Sequence, residues 1–205
     1  MEDFTDYTGG LSDDFFSRMD FEFKNPEQGR LLISEPFLFD PNFKRSVVLL
    51  VEHNEEGSIG FILNKSVNLN ITDAIEDFPD FQAELFFGGP VGQNNLFYIH
   101  TLGDRLPESK EIIDGIFWGG DFEQLKLLID TGQISEGEIQ FFAGYSGWGA
   151  DQLKNEMKDK SWIMTQATSD LVRRGRNKEF WSEVLTLMGK KFAIMANFPE
   201  DPSLN

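Results

Sequence analysis

Ser46-Val47-Val48-Leu49-Leu50-Val51 is an unbroken aliphatic run rich in β-branched residues. A run of this kind reads as a strand buried on both faces. Asn54-Glu55-Glu56-Gly57 follows with the side chains of a tight turn, and Ser58 to Leu63 reads as a second strand. Together they predict a β-hairpin at the centre of the core. The hairpin sorts the nearby polar residues into two groups. Glu52 and His53 fall at its turn end, whereas Lys44, Arg45, Asn64 and Lys65 gather at the other.

Around this centre the pattern predicts strands at 30–33, 84–87, 96–101, 112–118, 138–143, 162–165 and 192–196. Two helices announce themselves by their ends. Asp121 is placed to cap a helix carrying Phe122, Leu125, Leu128 and Ile129 on one stripe, with Gly132 beyond it. Asn177 is placed to cap another that turns Phe180, Trp181, Val184, Leu185 and Met188 inward and stops at Gly189. Shorter helices are expected near Asp73, Asp151 and Ser169. Strands in pairs with helices scattered among them lack regular βαβ alternation. The expected class is α+β, with a mixed, largely antiparallel sheet.

A chain of 205 residues suits one domain with an appendage. The appendage is visible as charge. Residues 1–28 hold eight acids and two bases, −6 of the net −17, and Phe4, Tyr7, Leu11, Phe15 and Met19 recur at helical spacing within them. We read residues 1–28 as an acidic extension that docks by its aromatic residues, on its own domain or on a partner, and 29–205 as the domain. The net charge weighs against a protein that grips nucleic acid or anionic membrane. With no cysteine there can be no disulfide, thiolate nucleophile or cysteine-bound metal. Two histidines, His53 and His100, are too few for a His-rich cage. No metal and no cofactor is expected. The first residues lack the basic and apolar regions of a signal peptide, so the expected location is the cytoplasm.

Several motifs recur in a fixed order: Glu35-Pro-Phe-Leu-Phe-Asp-Pro-Asn-Phe-Lys-Arg45-Ser-Val-Val, Glu52-His53, Gly60-Phe-Ile-Leu-Asn64-Lys65, Gly88-Gly-Pro-Val91, Gly144-Tyr-Ser-Gly-Trp148 leading into Asp151-Gln-Leu153 and Glu156, and Phe198-Pro-Glu-Asp-Pro-Ser-Leu-Asn205. In this order they resemble the bacterial AlgH/YqgE family across residues 29–205. The resemblance implies a single α+β domain whose coiled, partly barrel-like sheet carries flanking helices. It also brings a family label, transcriptional regulator, without a mechanism.

Gly144-Tyr145-Ser146-Gly147-Trp148 falls one residue short of the G-x-S-x-G nucleophile elbow, because Trp148 stands at the last glycine. It reads as a tight strand-to-helix turn anchored by Trp148. The Gly88-Gly89 pair matches no phosphate loop and reads as a place where two backbones come close. Candidate residues for a ligand-binding or functional cleft are Arg45, Glu52, His53, Asn64, Tyr145, Trp148 and Gln152. Among them Glu52 and His53 are a possible acid–base pair, although neighbours in a strand face opposite ways. Arg173, Arg174, Arg176 and Lys178 form the densest cationic stretch and the one candidate nucleic-acid loop. With no complete catalytic motif, the expected protein is a non-enzymatic cytosolic regulatory or binding module acting on an unknown protein or small-molecule partner. Direct DNA binding through the basic loop and an enzyme built on Glu52 and His53 are the alternatives.

Overall fold

A computed structural model describes residues 25–199. The acidic extension up to residue 24 and the motif residues 200–205 lie outside the described residues. Ten strands form one sheet: β1 (Arg30–Ser34), β2 (Val47–Asn54), β3 (Gly57–Ile62), β4 (Ser66–Asn70), β5 (Glu84–Phe87), β6 (Val91–His100), β7 (Lys110–Ile113), β8 (Ile116–Trp118), β9 (Ile139–Gly149) and β10 (Trp162–Gln166). Their order is β10-β1-β2-β3-β9-β6-β8-β7, with β4 and β5 on a branch from β9. Only the β5–β9 pair is parallel. The expected α+β class, with a mixed, largely antiparallel sheet, is what the chain adopts. The sheet coils without closing. Gln28 Nε2 donates to the carbonyls of Glu111 and Ile112, tying the β7 edge to the chain that enters β1.

β2 is buried on both faces as its sequence requires. Val47, Leu49 and Val51 enter the largest apolar cluster, while Val48 and Leu50 enter another around Trp148 and Trp162. Each such buried aliphatic side chain contributes about 1.5–3 kcal/mol relative to exposure. A further cluster lies under α2 (Phe122–Asp130), with Leu125, Leu128 and Ile129 packed against Tyr98 and Phe141. Asp121 caps that helix, its Oδ1 accepting from the Gln124 amide at 3.0 Å. The other helices are α1 (Ile71–Ala74), α3 (Gln152–Lys158), α4 (Ser169–Arg174), α5 (Phe180–Leu187) and α6 (Lys190–Ala196). α5 is pinned to the sheet by Trp181 Nε1, which donates to the Ser34 carbonyl at 2.9 Å in the interior.

The structure corrects several expectations. Residues 192–196 are not a strand: they lie in α6, where Met195 is buried and Phe192 packs on the core three residues before it, a helical spacing. Gly189, at φ +108, makes the corner from α5. Residues 112–118 are not one strand but the hairpin β7–β8, turned at Asp114-Gly115. β4 has no counterpart in the sequence reading, since its Ser-Val-Asn-Leu-Asn is weakly apolar and buries none of its residues fully. Asn177 does not cap α5, because its Nδ2 donates back to the Arg174 carbonyl. Gly144–Trp148 is not a turn either. It is the outer half of β9, which pairs Ser58 with Trp148 and Gly60 with Ser146, and the chain reverses only at Asp151, at φ +58.

Candidate functional site

The tip of the β2–β3 hairpin is built by Asn54. Its Oδ1 accepts from the amides of Glu56 and Gly57 at 2.8 and 3.2 Å, an Asx turn that fixes the tip. A register shift between Leu50 and Glu52 marks a bulge in β2 just before it. Beyond the bulge, side chains alternate. Glu52 Oε1 accepts from Asn54 Nδ2 at 3.2 Å on one side. His53 points to the other, its Nδ1 sharing a hydrogen bond of 2.8 Å with Ser58 Oγ across the strand pair.

The tip therefore separates two clefts. On the Glu52 side lies a cleft of about 340 Å³ lined by Glu52, Ile59, Val91, Tyr145, Gly147 and Trp148. Tyr145 forms its aromatic wall, held edge to face on Phe97 with ring centroids 5.5 Å apart. Val91, opposite Tyr145 in the β6–β9 register, is 39% exposed and offers an apolar surface beside it. On the His53 side a cleft of about 440 Å³ is lined by Asn25, His53, Glu55, Ser58, Asp151 and Lys154.

The candidate cleft residues thus divide into four places. Glu52, Tyr145 and Trp148 share the smaller cleft, and His53 lines the larger one. Gln152 works behind them: its Oε1 accepts from the Gly149 amide at 3.1 Å and its Nε2 donates to Glu156 Oε1 at 3.0 Å. Arg45 and Asn64 sit at the far end of the hairpin and are occupied there. The Arg45 guanidinium donates to the Phe198 carbonyl and lies 4.8 Å from the Trp181 ring centroid. Asn64 accepts from the Val47 amide and donates to the Arg45 carbonyl, both at 2.9 Å. Lys65 beside them donates to the carbonyls of Pro41 and Asn42, and burial pulls its ammonium below the usual lysine range, against the attraction of Asp40.

Ser146 is fully buried and donates to the Gly88 carbonyl at 3.0 Å, so the serine of the near-elbow is a fastener. The backbone approach expected at the glycine pair is present there. A Cβ on Gly88 would fall 2.2 Å from the Gly144 carbonyl oxygen.

The basic stretch is largely matched by nearby acids and carbonyls. Arg174 pairs with Asp170 and Glu183 at 3.6 and 3.4 Å, and Lys178 with Glu179 at 3.8 Å. Arg176 turns inward, donating to the carbonyls of Glu136 and Gly137 at 2.8 and 3.2 Å. Arg173 is exposed.

Three participants escaped the sequence reading. Glu156 is the shared acceptor of two indoles; the motif that leads from Trp148 to Glu156 named the residue but not this role. Ser58 is the partner of His53, readable only once the hairpin register is known. His100 is buried at the end of β6 against Phe117 and Ser109. Among the described residues no group of three or more histidines or carboxylates could hold a metal ion, and no helix is long and apolar enough to cross a membrane.

A family model described as DUF179, AlgH-like, matches residues 31–193. A UPF0301 protein of Chlorobaculum parvum is 43% identical over 187 residues, covering 91% of this chain and all of that one. Another, of Cytophaga hutchinsonii, is 46% identical over 180 residues, covering 87% and 98%. Among solved structures, that of a Corynebacterium diphtheriae protein shares the fold, with a TM-score of 0.70 at 20% identity over 92% of this chain and 100% of that one. The solution structure of AlgH from Pseudomonas aeruginosa gives 0.68 at 25% identity, covering 86% and 98%.

Proposed function

The chain belongs to the AlgH-like family, and from that premise we propose that it is a non-enzymatic cytosolic binding module, acting through protein or small-ligand contacts at the cleft between Glu52 and Tyr145. The observation that carries this reading is the composition of that cleft. A carboxylate fixed by Asn54, an aromatic face fixed by Phe97 and an exposed valine converge on one concave surface. Such a surface suits a ligand group that combines an apolar or aromatic body with a cation or hydrogen-bond donor.

Binding is favoured over chemistry because the obvious reactive groups are engaged or apart. Ser146 is buried with its proton committed to Gly88. Glu52 and His53 face different clefts. Ser58 lines the larger cleft beside His53, but only 5% of it is exposed. The matched charges of residues 173–178 favour contacts with proteins or small ligands over the DNA backbone as the route of any regulation.

Saturation-transfer NMR with simple aromatic amines, phenethylamine and tyramine, tests the reading. Binding is expected, lost in Tyr145→Ala and weakened at least tenfold in Glu52→Gln, and kept in the Arg173→Ala/Arg174→Ala double variant. Amine binding that survives both cleft substitutions, or no binding at all, contradicts it.

A further inference from the structure

Behind the basic stretch the structure places two buried polar atoms that lack a protein partner, on side chains that border one small recess. Gln140 lies in β9 and is 2% exposed. Its Nε2 donates to the Leu63 carbonyl at 2.9 Å, which fixes the orientation of the amide and turns Oε1 the other way. That oxygen is buried and accepts from no protein donor. Arg176 comes from the connection between α4 and α5. Its two Nη atoms are used by the carbonyls of Glu136 and Gly137, while its Nε–H is buried and donates to no protein acceptor. Both side chains line a space of about 10 Å³ that His100, Thr101, Glu138, Val172 and the exposed Arg173 also border.

A buried donor and a buried acceptor left unmet are both costly, so native structures satisfy such groups. The space is the size of one water, which needs roughly 10–15 Å³. We infer that Gln140 and Arg176 hold a single bound water, which accepts from Arg176 Nε–H and donates to Gln140 Oε1. The chemistry of the two groups excludes the other small occupants. An anion would meet the lone pairs of Gln140 Oε1, and a cation would meet the guanidinium. Only a neutral molecule that both donates and accepts serves the pair.

The water would join the centre of the sheet to the α4–α5 corner, which already packs on it through Gly175 against Leu63 and Val172 in the main core. Arg176 then belongs to the interior, and the basic stretch loses one of its cations as a surface group.

An atomic-resolution crystal structure of the full chain, together with water–protein NOE measurements in solution, tests this. We expect one ordered oxygen about 3 Å from both Arg176 Nε and Gln140 Oε1, and an NOE between water and the Arg176 Nε–H of the sign given by a long-lived site. Arg176→Lys, verified as folded by its amide spectrum, removes the donor and should abolish the water NOE at the Gln140 side-chain amide. Direct contact between Arg176 Nε and Gln140 Oε1, an anion in the space, an empty space, or an unchanged NOE in Arg176→Lys overturns the inference.

Discussion

Trp148 and Trp162 stand edge to face, 5.9 Å between ring centroids, and donate their indole N–H groups to the same oxygen of Glu156 at 2.9 and 2.8 Å. Phe43 closes the cluster, stacking on Trp148 and meeting Trp162 by its edge. Trp148 ends the outer part of β9 and Trp162 begins β10, so one carboxylate on α3 links two strands that do not pair with each other. The smaller cleft rests on this joint through Trp148.

Glu156→Ala should therefore strand two nearly buried indole donors. At about 1–3 kcal/mol for each unmet donor, the expected loss is roughly 2–6 kcal/mol in a denaturant unfolding experiment. Glu156→Gln keeps an acceptor oxygen and should cost less than half as much. A Glu156→Ala variant within 0.5 kcal/mol of the parent (about the scatter of a surface change) contradicts the assignment.

Ser146 and Gly88 make a second joint, between β9 and the chain leaving β5. Ser146→Ala removes one buried hydrogen bond and should cost about 1 kcal/mol. Gly88→Ala drives a methyl group to 2.2 Å from a carbonyl oxygen, which no side-chain rotation relieves. Overpacking of backbone on backbone should cost about 3 kcal/mol or more. Thermal unfolding of the two variants separates the cases, and equal losses would argue against the close approach.

His100 predicts a pH dependence. The Leu102 amide donates to its Nδ1 at 3.2 Å, and its Nε2 lies 3.0 Å from the Gly119 carbonyl, so the fold holds the neutral ring with its proton on Nε2. Burial pushes the imidazole below its usual range, partly opposed by the Gly119 carbonyl. A depressed base is more readily protonated in the unfolded chain. Its stabilisation is complete above about pH 6.5 and is lost as pH falls through that value, by up to about 1.4 kcal/mol per pH unit. Glu35 acts in the opposite sense, since burial raises its carboxyl and its contribution fades as pH rises through the range above the ordinary glutamate value. The comparison of parent with His100→Gln between pH 5 and 7.5 isolates the histidine. The parent should show the steeper loss on acidification, and parallel curves would refute the role.

The centre of the fold was legible because β2 is a run of aliphatic residues closed by Asn54-Glu55-Glu56-Gly57, a case in which local turn chemistry and burial agree. The run 192–196 misled for the converse reason. A short apolar segment fits either period, and the choice fell to packing against α5 across the Gly189 corner. Gly144 and Gly147 suggested a turn, yet both serve close packing along a long strand, with Gly144 beside the Gly89 and Val91 carbonyls. At the site, strand alternation anticipated that Glu52 and His53 would face apart. Glu156 and Gln140 were invisible to that reasoning, because their partners lie on other elements and are set only by the tertiary fold.

Ligand contacts should concentrate on the Glu52–Tyr145 cleft and not on residues 173–178. Amide chemical-shift mapping of the isotope-labelled chain, titrated separately with tyramine and with mixed-sequence duplex DNA at physiological salt, tests it most directly. Tyramine should shift the amides of Glu52, Asn54, Ile59, Tyr145 and Gly147, and DNA should shift none. Perturbations centred on Arg173, Arg174 and Lys178 with DNA, and an unmoved cleft with tyramine, would contradict it.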